Sequence, residues 1–320
     1  MARFLLQRLI TSVISIFGAT VIIFFLTQLH YDPRELFIPD SGYGLTEEQY
    51  ENLSKRLGFD KHPVIQYLSW IGRTLRGDLG VSLIRQQPVA QILGGKIGAT
   101  VQLAIGGWIF AIMLGVPMGV LAAVKRATAW DYIGRFFAIT GQGAPPFVVG
   151  IILILIFSVW ARNTFLALPA GTRPANFDWK FYILPCVTLG WPAAAGLMRL
   201  TRSAMLEVLD SEFVKMARAK GVTTKSVVWK HAFRNSLIPP LTSALIIFSN
   251  WLHGALVVET VFAWPGVGYV ALFESVNGND FPLLLGAVFI YIMLFLVFAL
   301  MTDLLYALID PRIKLGQRAR

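Results

Sequence analysis

Long apolar runs separated by polar stretches organise this chain of 320 residues. A run of about 20 apolar residues forms a helix that is long enough to cross the hydrocarbon core of a bilayer. Several runs reach that length, so the pattern predicts an all-α, polytopic membrane protein with about six transmembrane helices. The predicted spans are residues 9–29, 99–124, 136–160, 181–200, 236–258 and 283–308.

The polar stretch after the first run, residues 31–97, is long enough to carry helices of its own. Thr46 with Gln49 fits a capping box, and Pro63 opens a second, amphipathic helix that ends at Gly77. We expect a small helical cap, which either contacts a delivery protein or only covers the mouth of the bundle. The apolar side of its second helix is Ile65, Leu68, Ile71 and Leu75.

The same pattern predicts three parts of the chain. Residues 1–30 form an N-terminal tail and the first span, because the apolar run is longer than the core of a signal peptide and no small-x-small cleavage site follows it. Residues 31–97 form the outer segment, and residues 98–320 form a five-helix core. Within the core, residues 201–235 are a polar, basic segment between two apolar runs.

Composition and charge support a membrane location. Hydrophobic residues make up 56% of the chain and charged residues only 14%, whereas a soluble domain carries about 25% charged residues. The net charge is +10, and most Lys and Arg residues fall in alternate connecting segments. This distribution satisfies the positive-inside rule with both termini in the cytoplasm. Nucleic-acid binding is not expected, because no stripe of aromatic and basic residues accompanies the charge.

Motifs for bond chemistry are missing from the sequence. Gly95-Lys96 is the nearest approach to a phosphate-binding loop, but the first Gly and the Ser/Thr of that motif are absent. The single cysteine, Cys186, lies in an apolar run and is predicted to be a buried, inert thiol. We therefore expect no catalytic residue, no metal site and no cofactor in this chain. The histidines have no ligand spacing; they are His30, His62, His231 and His253.

The most informative polar segment is the basic island at residues 211–240. Gly221 interrupts a helical pattern, and Thr223 and Thr224 are suitable caps for a second short helix. The result is a helix–Gly–helix elbow, on the cytoplasmic side of the predicted topology. Such an elbow is well shaped to dock into another protein.

Four further motifs accompany the elbow, and together they resemble one family. The motifs are R-G-D-L-G-V-S at 76–82, V-E-T-V-F-A-W-P-G-V-G at 258–268, D-F-P at 280–282, and D-L-L-Y-A at 303–307 with D-P-R-I at 310–313. In this order the chain resembles the first of the two permease subunits of bacterial dipeptide/oligopeptide/nickel-type ABC importers. The resemblance covers nearly the whole chain and implies a type I importer permease fold.

The resemblance also implies partners. It implies a heterodimer with a second homologous permease, two ATP-binding subunits that bind ATP and Mg, and an extracytoplasmic substrate-binding protein. These would assemble in the inner membrane, within the lipid bilayer, where this chain forms half of the translocation pathway. Relatives of this kind carry peptides, nickel chelates, glutathione-like molecules or opines, with specificity expected mainly in the binding protein.

The elbow corresponds to the E-A-A-x-x-x-G coupling motif of the family. Ala217 matches the second Ala and Gly221 the Gly, whereas Lys215 and Met216 replace the first two positions. Gly221 is alternatively a plain helix C-cap, and the aromatic pair at 229 and 233 either fills an ATPase cleft or packs against the chain's own spans. The predicted ATPase-coupling residues are Glu212, Ala217, Arg218, Ala219, Gly221, Trp229 and Phe233.

A second predicted set concerns the pathway and its gate. The W-P-G-V-G sequence at 264–268 is either a re-entrant structure near the outer gate or a loop on the bilayer surface. Asp303 is interpreted as the only acid well inside a span, where it contacts either substrate or the second permease. Asn250 and His253 share a helix face and either line the pathway or bond to a neighbouring helix. The candidates are Asn250, His253, Glu259, Trp264, Pro265, Gly266 and Asp303.

Two other functions remain open from the residues alone. A secondary transporter would carry several intramembrane ionisable residues and an inverted repeat, neither of which the sequence shows. A membrane scaffold would need no pathway through the bundle.

Overall fold

The computed structural model describes residues 2–30, 61–171 and 178–309, together with Glu48 and Glu51. The described residues are helical apart from turns, loops and one isolated antiparallel bridge between Val81 and Pro88. This confirms the all-α prediction. The capping box at Thr46 and Gln49 lies outside the described residues.

The helices of the described part are numbered here in chain order. They are α1 (Ala2–His30), α2 (Pro63–Thr74), α3 (Val89–Val124), α4 (Ala129–Gly143), α5 (Pro146–Leu153), α6 (Lys180–Leu209), α7 (Glu212–Ala219), α8 (Thr224–Ser226), α9 (Ile238–Val261), α10 (Val267–Tyr269) and α11 (Phe281–Ile309). Three of them, α5, α8 and α10, continue as π-helical stretches. Those stretches are Ile154–Trp160, Val227–Phe233 and Val270–Ser275. A single α-helical turn, Arg234–Ser236, follows the second of them.

The chain divides into two compact units. The first comprises Met1–Ala99 and Pro265–Leu296, and the second comprises Thr100–Trp264 and Val297–Arg320. Four helices of the described residues are long and apolar enough to cross a membrane: Ile10–Gln28, Val89–Val124, Lys180–Leu209 and Phe281–Leu305. They correspond to four of the predicted spans.

The third predicted span, 136–160, is broken in the middle. Ala129–Gly143 and Pro146–Trp160 are bent by 111° at the break between them. The break follows from Pro145 and Pro146, since a proline disfavours helical geometry in the residue before it. Ala144 and Pro145 are accordingly extended, so this pair is a broken span or a re-entrant hairpin.

The other differences lie at helix starts. Helix α3 begins at Val89, so the end of the predicted outer segment 31–97 is continuous with the second span. Helix α9 covers the predicted span 236–258. Its Pro239 and Pro240 occupy the first turn, where a missing N–H breaks no intrahelical bond. They therefore start this helix and do not kink it.

Within the second unit, glycines allow α3 and α6 to approach closely. A Cβ atom placed on Gly115 would lie 2.5 Å from the carbonyl oxygen of Ala194, and one on Gly119 would lie 2.6 Å from that of Met198. Small residues at such seams are how membrane helices gain contact area. Cys186 is buried on α6 beside the seam, as predicted.

Within the first unit, α2 packs across α1. The Tyr67 and Trp70 side chains are buried with Phe24, and the Tyr67 hydroxyl lies 3.0 Å from the Thr20 hydroxyl. The predicted amphipathic helix is confirmed, but its aliphatic side is not the packing side. Ile65, Leu68 and Leu75 are exposed, because the larger aromatic surfaces occupy the contact with α1.

Candidate functional site

The elbow has the geometry of a capped helix end. After α7, Gly221 has a φ of +77°, a conformation that glycine adopts without a Cβ penalty. The Val222 N–H donates to the Ala217 carbonyl at 3.2 Å, and the Gly221 N–H donates to that of Arg218 at 3.0 Å, a Schellman arrangement. No other atom lies within 4 Å of a Cβ placed on Gly221. Gly221 is therefore a C-cap that also leaves open space beside the elbow.

The second helix of the elbow differs from the prediction at its start. Thr223 occupies the N-cap position with extended backbone, but its side chain makes no capping hydrogen bond. The residue is exposed, so water can satisfy the first N–H groups of α8. The helix therefore begins without the predicted threonine cap.

The aromatic pair of the elbow lies on one face, as predicted. The Trp229 and Phe233 rings are 5.3 Å apart and meet edge to face. Phe233 packs against a buried cluster, whereas 53% of the Trp229 surface is exposed. The cluster fixes the π-helical stretch to the ends of α3 and α6, and consists of Val120, Ala123, Met205, Leu209, Val228 and Ala232.

The surface around the open glycine is basic. The Lys215 ammonium lies 2.8 Å from the Glu212 carboxylate on the exposed side of α7. Ala217 is half-buried, while Ala219 is exposed. The exposed cations near them are Arg218, Lys220, Lys225 and Lys230. The elbow thus presents positive charge, one indole ring and an unfilled space, which suits an acidic protein surface with a cleft.

A buried ion cluster near the elbow was not predicted. Asp131 on α4 is fully buried and accepts from Arg202 on α6 at 2.7 and 3.0 Å. It also accepts from Arg135 at 2.8 and 3.3 Å and from the Ala127 N–H at 3.0 Å. The four-residue spacing of Asp131 and Arg135 is a recognisable signal for a helical pair. Nothing in the sequence indicates Arg202, which holds α4 to the helix that leads into the elbow.

The predicted gate residues of the second unit are deeply buried. Glu259 has no exposed surface, and its carboxylate accepts from the Thr100 hydroxyl at 2.6 Å. Trp264 is also fully buried, with its ring 4.9 Å from that of Tyr182. The Trp264 N–H donates to the Glu259 carbonyl at 2.8 Å, so the chain turns sharply through Ala263, whose φ is +47°.

The remaining predicted gate residues are distributed over the two units. Pro265 and Gly266 belong to the first unit, where Gly266 has an extended backbone at the start of α10. Asp303 lies half-buried on α11. The side chains of Asn250 and His253 lie outside the described residues.

Two distant sequence motifs meet in the first unit. Asp280 is buried and accepts from the Ser82 hydroxyl, the Leu83 N–H at 3.2 Å and the Ile84 N–H at 3.3 Å. It also caps α11, accepting from the Leu283 N–H at 3.2 Å. The R-G-D-L-G-V-S and D-F-P motifs therefore form one structural joint. Among the described residues, no group of three His, Cys, Asp or Glu side chains could hold a metal ion.

Comparison with protein families decides the identity. Residues 115–315 match the family described as "Binding-protein-dependent transport system inner membrane component". The chain belongs to this family. It is a non-catalytic permease subunit of an ABC importer in the inner membrane, and ATP hydrolysis takes place in separate subunits.

Relatives match the permease over nearly its full length. It is 35% identical to a protein of Brucella suis biovar 1 (strain 1330) named as a peptide permease, over 98% of this chain and 99% of that protein. It is 33% identical to the glutathione transport system permease protein GsiC of Escherichia coli (strain K12), again over 98% and 99% of the two chains.

A solved structure shows the same fold. An inward-facing MetNI methionine ABC transporter aligns with a TM-score of 0.54 at 17% identity, covering 69% of the permease and 97% of the solved chain. At that identity the likeness concerns the fold alone. It confirms the ABC importer permease fold that the motifs imply.

Proposed function

We propose that this permease is one of two homologous permeases in an importer of peptides or glutathione-like solutes. Two separate subunits bind ATP and Mg, and an extracytoplasmic binding protein delivers the cargo. Support comes from relatives named for peptide and glutathione transport, which match the chain from end to end. Both cargo classes are amino-acid conjugates with free carboxylates, so one delivery mode suits both.

The exposed elbow transmits movement from the ATP-binding subunits to the spans. Segment 201–235 is the coupling segment, with Gly221 at its open corner and Trp229 as the apolar knob. Closure of the ATP-binding pair would push on this elbow. Because the π-helical stretch is fixed to α3 and α6 through buried apolar side chains, the push would move these helices as a rigid body.

The other parts of the chain take roles around this movement. Residues 98–320 form the core with the pathway, residues 1–30 supply the first span, and residues 31–97 belong to the extracytoplasmic side. The buried turn from Glu259 to Trp264 is a rigid segment that supports the proposed gate. Asp303, Asn250 and His253 are pathway candidates.

The test is purification and reconstitution. The tagged chain is extracted in mild detergent, co-purifying subunits are identified by mass, and ATP hydrolysis is measured with the binding protein and either short peptides or glutathione. We expect a second permease, ATP-binding subunits, and hydrolysis stimulated by one of these cargoes. Recovery of the chain alone, with transport that survives ATP depletion under a constant ion gradient, would overturn the proposal.

A further inference from the structure

Helix α2 lies where two candidate spans of the first unit end. The Phe24 ring, close to the C-terminal end of the span Ile10–Gln28, is 5.4 Å from the ring of Tyr67 on α2. The same ring is 6.2 Å from that of Phe281, the first residue of the span Phe281–Leu305. Tyr67 and Trp70 of α2 share one buried cluster with Phe24 and Phe281, so α2 packs beside the ends of both spans. From this we infer that the backbone of α2 lies at the level of a membrane–water interface, while the Tyr67 side chain reaches along the first span to Thr20.

Among the described residues, one side of α2 is covered by protein and the other side is exposed. Tyr67, Trp70 and Thr74 are buried, whereas Ile65 and Leu68 have more than half of their surface exposed. An amphipathic helix at an interface places such an apolar stripe about 5–10 Å into the boundary between headgroups and acyl chains. Lipid is therefore the partner that fits this face, because the face is apolar and lies at the level of the interface.

A cavity of about 570 Å³ opens beside α2 in the same unit. Lys61, two residues before α2, and Arg73, in its last turn, contribute two cations to the lining of the cavity. Asp78 contributes one acid, and its carboxylate already accepts from the Gly80 N–H at 2.9 Å. The net charge of these side chains is positive. Phe24 and Leu285 provide an apolar wall.

We propose that this cavity and the apolar stripe of α2 bind an anionic phospholipid. Lys61 and Arg73 supply the positive charge that attracts the phosphate, because one net positive charge matches a single phosphodiester. One acyl chain follows the wall of Phe24 and Leu285, and neighbouring chains cover Ile65 and Leu68. On the predicted topology this lipid belongs to the extracytoplasmic leaflet. The cavity size falls within the range of about 300–1,000 Å³ that small-molecule sites occupy.

The test measures lipid binding to the intact importer. The complex that contains the full chain is delipidated, and binding of phosphatidylglycerol and phosphatidylcholine is titrated by native mass spectrometry. The double variant Lys61→Gln/Arg73→Gln is compared with Arg162→Gln/Lys180→Gln, which removes two exposed cations elsewhere. We expect the affinity for phosphatidylglycerol to fall about 25-fold only in the first variant, since each of the two surface cations contributes about a factor of five.

Competition with inorganic phosphate and two additional variants provide further tests of the lipid site. Inorganic phosphate should not displace the lipid, because the acyl chain also binds; displacement would show a free-anion site and overturn the proposal. The charge-preserving Lys61→Arg/Arg73→Lys should retain affinity, and the single Lys61→Gln serves if the double variant fails to assemble. Equal lipid binding by all variants would overturn the proposal. So would unchanged lipid binding with weakened binding-protein affinity, which would assign this surface to that protein.

Discussion

The elbow around Gly221 and the turn that ends α9 are built from similar parts but differ in exposure. Each follows a helix end, contains a residue with positive φ and carries a tryptophan. More than half of the Trp229 surface is exposed in the elbow, whereas Trp264 in the turn has none. The space beside Gly221 is open, while Trp264 packs on Tyr182.

This difference separates contact with a partner from internal support. An exposed indole contributes little to the stability of its own chain but can supply a large share of the affinity for another protein. A fully buried indole contributes through packing, and its loss leaves a cavity. Substitutions in the elbow should therefore reduce substrate-stimulated ATP hydrolysis, whereas substitutions in the turn should lower the free energy of unfolding.

The largest effect is expected for Gly221→Trp. The bulky side chain would fill the open space and strain the left-handed backbone, so substrate-stimulated ATP hydrolysis should be abolished while membrane insertion is unchanged. Gly221→Asn is the matched control, because asparagine tolerates positive φ without filling the space. ATP hydrolysis in the reconstituted importer is the measurement. Normal substrate-stimulated ATP hydrolysis in Gly221→Trp would show that Gly221 is not part of the coupling site.

Trp264→Ala is expected to lower the free energy of unfolding by about 3–5 kcal/mol, the usual cost of a large aromatic truncation in a core. The measurement is the thermal unfolding midpoint in detergent. Trp229→Ala is the control for the comparison and should leave that midpoint nearly unchanged. Equal midpoints for both variants would contradict the assignment of Trp264 to internal support.

Asp131→Asn is expected to destabilise the second unit by about 3 kcal/mol, because the Arg202 charge would remain partly buried without its counter-charge. Arg135→Gln should have a much smaller effect, since the Arg135 side chain is half-exposed and hydrated, and exposed ion pairs contribute little to stability. Thermal midpoints of the two variants test this order. A larger loss for Arg135→Gln would show that the exposed arginine holds the cluster.

Trp229→Ala should weaken the affinity between the permease and the ATP-binding subunits by about tenfold or more, as expected for a tryptophan at the centre of an interface. Subunit retention during dilution of the purified complex measures this affinity. Phe273→Ala, which removes another exposed aromatic ring, provides the control. Undiminished retention in Trp229→Ala would argue that the indole faces lipid or solvent.

The smallest effect is expected for Thr223→Ala. A threonine that caps a helix through its side chain contributes about 1 kcal/mol, but Thr223 makes no such bond. The stability should therefore change by less than about 0.5 kcal/mol, as judged by the thermal midpoint. A shift as large as that of a true cap would mean that the hydroxyl does bond to α8.

The local features of the elbow could be predicted from the sequence because they depend on neighbouring residues. Gly221, the short helices on either side and the shared face of Trp229 and Phe233 all follow from local spacing and conformational preference. The apolar runs likewise predicted most spans. The break at Pro145 and Pro146 is also a local feature, because a proline disfavours helical geometry in the residue before it.

Contacts between distant residues could not be predicted in this way. Ser82 meets Asp280 across a sequence separation of 198 residues, and Arg202 meets Asp131 across 71. Each partner is an ordinary polar residue in its local context. The burial of Trp264 could not be predicted either. The composition of a W-P-G sequence is typical of an exposed turn, and only tertiary packing buries the ring.

Site-specific photo-crosslinking in native membranes can show whether the elbow contacts an ATP-binding subunit. A photoreactive amino acid replaces Trp229, and in a parallel sample it replaces Trp264. We expect a cross-linked product with an ATP-binding subunit from position 229 and only internal products from position 264. Internal or lipid products alone from position 229, in an importer that still hydrolyses ATP with substrate, would contradict this expectation.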